Sequence, residues 1–123
     1  MRKLLHLTAV LEAGTGIALL VMPGLVMRLL LGLNGLGAEI ALARFLGVAL
    51  LALGVACWSN QPAAPDAPAF RAMLTYTLLV AILLSYLGVV ERYFGLLLWP
   101  AVLLHFGLTA LLIRASRMPP ETA

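Results

Sequence analysis

The chain has 123 residues, the length of one domain. Hydrophobic residues make up 63% of it and charged residues 11%, against about 45–50% and about 25% in soluble domains, and mean hydropathy is +1.08. A water-soluble domain of this size has too much surface to hide that much Leu, Val and Ala. Lipid accepts apolar side chains on every face of a helix, so the composition points to an integral membrane protein.

The formal net charge of +3 comes from only eight Lys and Arg. They form no basic stripe interleaved with aromatics, so they bear on topology and no nucleic-acid partner is expected. The single cysteine, Cys57, can form neither an internal disulfide nor a cysteine-based metal site.

In chain order, Met1 to Val21 begins with Arg2 and Lys3 and resembles a signal peptide with a basic start. Glu12 interrupts its apolar core and no A-x-A site follows, so the expectation is an uncleaved first transmembrane helix over about residues 4–22. Pro23-Gly24 breaks it. The segment LVMRLLLGLNGLG is apolar but contains Arg28 and ends at the turn-forming Asn34-Gly35. A short interfacial helix is expected over 24–33, with Arg28 reaching toward head groups.

A second spanning helix is expected over 38–58, ending at Trp58 and carrying Arg44 inside its apolar run. SNQPAAPDAP, residues 59–68, is polar and proline-rich and reads as an aqueous loop between two hairpins. The third helix is expected over about 70–90. Glu91 to Gly95 then makes a tight turn, and the fourth helix runs over about 96–113 with Trp99-Pro100 in its first turn, where a proline costs little. The tail 114–123 is too polar for lipid. The expected fold is all-α: an integral membrane four-helix bundle built from two transmembrane hairpins.

Lys and Arg counts set the orientation. With the amino terminus inside, the inner side holds Arg2, Lys3, Arg71, Arg114 and Arg117 and the outer side Arg28 and Arg92. Five against two places both termini in the cytoplasm.

Four polar residues within the spans are the candidate site: Glu12, Arg44, His105 and Tyr86. At a helix rise of ~1.5 Å per residue, Glu12 and His105 fall within roughly 2 Å of the midplane and Arg44 roughly 6 Å toward the outer side, with Tyr86 on that same side. A charge at the centre of a span costs about 2.5–3.5 kcal/mol, so a Glu12–Arg44 ion pair is expected between the first two helices, with His105 and Tyr86 as hydrogen-bond partners. Such a pair serves either to fix helix register or to hold a proton, a head group or a small polar ligand. Thr8, Glu12 and Thr15 with Ala9 and Gly16 share one face of the first helix, and Ala43, Gly47, Gly54 and Cys57 form a small-residue stripe on the second.

No catalytic residue, metal ligand set or cofactor is expected. The chain lacks a nucleophile elbow, an HExxH pair, a phosphate-cradling glycine loop and a cysteine–histidine zinc set. His6 and His105 lie about half a bilayer apart, which disfavours one haem between them.

The phrases ALARFLGVALLALGVACW and GLLLWPAVLLH resemble the small, uncharacterised bacterial integral membrane proteins of four helices and about this length, and more distantly DoxX-like four-helix membrane proteins. The resemblance implies a multi-pass protein of the bacterial inner membrane. The expected function is that of a non-enzymatic accessory, assembly or self-associating subunit, with the lipid bilayer and a homo-oligomer or larger membrane complex as partners. The alternative is a binding or transport module for a small lipophilic or protonatable ligand. An enzyme acting on a membrane lipid or quinone is the third option.

Overall fold

The computed structural model describes residues 2–34, 37–58 and 67–117. They form five helices: α1 (Arg2–Val21), α2 (Pro23–Leu31), α3 (Ala38–Cys57), α4 (Pro68–Val89) and α5 (Leu98–Ser116). The fold is all-α, as composition requires. α1, α3, α4 and α5 have 20, 20, 22 and 19 residues and are long and apolar enough to cross a membrane.

The boundaries shift from the expected ones for local reasons. α4 starts at Pro68, two residues early, because proline at the first helical position lacks an N–H that would be unpaired anyway. α1 ends at Val21 because Met22 precedes a proline and is forced out of the helical region, to φ −131 and ψ 57. α5 begins at Leu98, after a turn in which Arg92 takes φ 60. Gly35 of the expected turn, residues 59–66 of the expected loop and 118–123 of the tail lie outside the described residues.

The spans pair as two hairpins, α1 with α3 and α4 with α5. In the first pair the backbones come together at glycines. A Cβ at Gly16 would stand 2.7 Å from the Gly47 carbonyl oxygen, and one at Gly47 2.8 Å from that of Gly16. Gly54 is equally tight against Ala9 and Ala13, where an added Cβ would fall 2.9 Å from the Ala9 oxygen. Between helices in lipid, where burial from water supplies no drive, such close approach provides the van der Waals contact that holds them.

Two apolar clusters join the hairpins. At the end where the described chain starts and finishes, Leu5, Ala9, Cys57, Phe70, Met73 and Leu112 pack together. At the other end Leu84, Leu98 and Val102 meet Leu30 and Leu31 of α2. The expected interfacial segment is indeed helical, and it also works as a strap. The Leu97 N–H donates to the Leu29 carbonyl at 2.8 Å, and Gly95 lies directly against the Leu30 carbonyl, so α2 is fastened to the α4–α5 turn. Gly32 ends α2 in the left-handed region at φ 74, where a residue without Cβ carries no strain. The outward faces are apolar, with Leu42, Val55, Leu79, Leu83, Leu103 and Leu111 exposed, as lipid contact requires.

Candidate functional site: a buried polar cluster between the hairpins

Three polar side chains from three helices converge midway along the bundle. Glu12 on α1, Tyr76 on α4 and His105 on α5 each lie within roughly 4 Å of the middle of their helix along its axis. Glu12 is only 4% exposed. Its Oε1 stands 3.7 Å from His105 Nε2, within ion-pair range and beyond hydrogen-bond length. The Tyr76 hydroxyl faces the Glu12 carboxylate from α4. The Tyr76 ring meets the imidazole edge-on, with centroids 6.2 Å apart and planes at 65°.

The tautomer of His105 follows from its other contact. Nδ1 lies 2.7 Å from the Ala101 carbonyl, which can only accept, so Nδ1 carries a proton. Nε2 is then the nitrogen that faces Glu12. It is buried and has no hydrogen-bond partner among the described residues.

A second polar layer continues the first. The Thr109 hydroxyl donates to the His105 carbonyl at 2.8 Å and stands 3.1 Å from the Thr77 hydroxyl across the α4–α5 seam. Thr77 in turn donates to the Leu74 carbonyl at 3.1 Å. Thr8, one turn before Glu12, is fully buried and bonds back to the Leu5 carbonyl at 2.8 Å. Thr15 lies on the exposed side of α1 and bonds to the Leu11 carbonyl, so the shared polar face stops at Glu12.

The expected Glu12–Arg44 ion pair does not form. Arg44 is exposed, on the outward side of α3 between Ala43, which faces α1, and Phe45, which is 73% exposed. The buried stripe of α3 is Ala43, Gly47, Leu50, Gly54 and Cys57, and Arg44 sits one residue, ~100°, around the helix from it. Helical side chains lean toward their helix N-terminus. A long arginine side chain on that outward side can carry its charge along the helix surface toward the N-terminal end of α3. Tyr86 is also outside the cluster: it is 48% exposed and donates to Glu91 Oε1 at 3.1 Å. Of the four candidates, the structure brings together Glu12 and His105 alone.

Tyr76 is the member that sequence reasoning passed over. It lies no farther from the middle of its span than Arg44 does, so the depth argument that admitted Arg44 admits it too. His6 stacks on Trp58, with centroids 5.1 Å apart and planes at 16°, far from the cluster. Among the described residues, no group of three or more His, Cys, Asp or Glu side chains could hold a metal ion. Comparison of the chain with protein families, curated proteins and solved structures finds no match.

Proposed function

We propose that the chain is a small non-enzymatic multi-pass membrane protein, an accessory or assembly subunit, whose two hairpins are held in register by the Glu12–His105–Tyr76 cluster. The observation that carries this is the closure of Glu12 between α4 and α5 at 4% exposure, with a partner on each helix. A buried polar group with partners on two other helices specifies one packing arrangement, because any other leaves it unpaired in hydrocarbon. The described residues are nearly all helix, with little extramembrane surface on which to assemble chemistry. The proposed location is the bacterial inner membrane with both termini cytoplasmic, supported by the five-to-two distribution of Lys and Arg.

Native mass spectrometry of the full chain from mild detergent tests this. An accessory subunit is recovered as a homo-oligomer or bound to a larger membrane complex. Recovery as a bare monomer, from membranes where it is expressed at its natural level, contradicts it.

A binding role for a small protonatable or lipophilic ligand is the second proposal. It is favoured by one observation, the buried His105 Nε2, which has no hydrogen-bond partner among the described residues. A ligand hydroxyl or ammonium reaching that nitrogen and Glu12 would satisfy both. A ligand retained in wild type and lost in Glu12→Gln, seen in the same spectra, would favour it over the accessory role.

A further inference from the structure

At the α2 end of the bundle, away from the Glu12 cluster, Gly24, Leu25, Arg28 and Asn34 line an open groove of about 350 Å³. Its construction follows from the strap. Gly24 and Arg28 are one turn apart and share a face of α2. The left-handed Gly32 ends the helix, and Asn34, two residues on, lines the same groove.

We propose that this groove binds the phosphate head group of an anionic glycerophospholipid. Arg28 is exposed and forms no ion pair among the described residues, so its planar guanidinium is available to hold phosphate oxygens in pairs. The Asn34 amide adds a donor, and Leu25, 48% exposed, offers an apolar wall to the glycerol and upper acyl chain. Gly24 keeps the floor open, since a Cβ there would meet only the Ile40 side chain at 3.7 Å. Of the acidic residues near this end among the described residues, Glu91 is engaged by Tyr86, and Glu39 is exposed in the first turn of α3, where it favours its own helix N-terminus and makes no ion pair with Arg28. Lipid is the source of the phosphate because α2 packs on α1, α3 and α5 directly after the end of α1, and all three are long and apolar enough to cross a membrane.

The full chain is purified in mild detergent and titrated with phosphatidylglycerol, with phosphatidylcholine and with inorganic phosphate, and bound lipid is read by native mass spectrometry. Phosphatidylglycerol is expected to be retained over phosphatidylcholine. Arg28→Gln is expected to weaken retention about tenfold, the worth of one charge-assisted contact. Gly24→Val, which fills the groove without touching charge, weakens it comparably, while Arg92→Gln, which removes the same charge elsewhere, leaves it unchanged. Equal loss in Arg92→Gln, or none in Arg28→Gln or Gly24→Val, overturns the proposal. Displacement of the lipid by inorganic phosphate overturns the lipid assignment.

Discussion

Glu12 and His105, near opposite ends of the sequence, face each other across 3.7 Å in the middle of the bundle and form a buried ion pair between the first hairpin and the second. Arg44, the charged residue nearest Glu12 in depth, plays no part in it. Two consequences follow. The hairpins are tied together at three levels: an apolar cluster at one end, the polar cluster midway, and the α2 strap at the other end. The polar cluster draws one side chain from each hairpin, so its stability depends on both partners being present.

The α1–α3 seam is set by backbone contact, so its glycines respond very differently from helical glycines with open space beside them. Gly16→Ala and Gly47→Ala each push a Cβ against a carbonyl oxygen that cannot move aside. Each is expected to destabilise by about 1–3 kcal/mol, the usual cost of overpacking. Gly14→Ala and Gly107→Ala, with nothing within 4 Å of the added atom, are expected to be neutral or slightly stabilising. Unfolding midpoints in detergent distinguish the two sets. Equal effects across all four would show that the seam is looser than described.

Arg44 faces outward, so its removal takes away a charge from lipid and no contact from the core. Arg44→Leu is expected to leave the unfolding free energy within about 0.5 kcal/mol of wild type. Glu12→Leu, by contrast, strips the carboxylate from His105 and Tyr76 and is expected to cost about 1–3 kcal/mol. A loss on Arg44→Leu as large as that on Glu12→Leu would restore the Glu12–Arg44 pairing.

Cys57 is fully buried beside Phe70 and Met73, with its Sγ 3.5 Å from the Ala69 carbonyl. Maleimide labelling of the native protein is therefore expected to wait on separation of α3 from α4, and to be slower by orders of magnitude than labelling in denaturant. Immediate reaction in the folded protein would mean that this end of the bundle is open.

The spans were legible in the sequence because lipid imposes a length and a composition, and both are read directly. The proline after Met22 and the paired glycines likewise announced a break and a close seam. What could not be read was azimuth. Helix rise gave the depth of Glu12, His105 and Arg44, but the side of α3 on which Arg44 projects depends on which stripe packs on α1. That choice went to Ala43, Gly47 and Gly54, one residue out of phase with the arginine. Tyr76 escaped for a related reason. Tyr76 and Tyr86 share one span, and which of them faces Glu12 is decided only by the rotation of α4 about its axis. The strap was half legible: a short interfacial helix over 24–33 is in the sequence, but the Leu97–Leu29 bond depends on the packing of the second hairpin.

The central claim is that Glu12 is coupled to His105 across the hairpin junction. A double-mutant cycle of Glu12→Gln and His105→Gln, read by unfolding free energy in detergent or bicelles, measures that coupling directly, with Arg44→Gln as the comparison arm. Each substitution at the pair is expected to destabilise. The double mutant should lose less than the sum, giving a coupling of about 0.6–1.7 kcal/mol, the range for polar contacts between membrane helices. Additive losses at Glu12 and His105, or a larger coupling of Glu12 to Arg44, would contradict the claim.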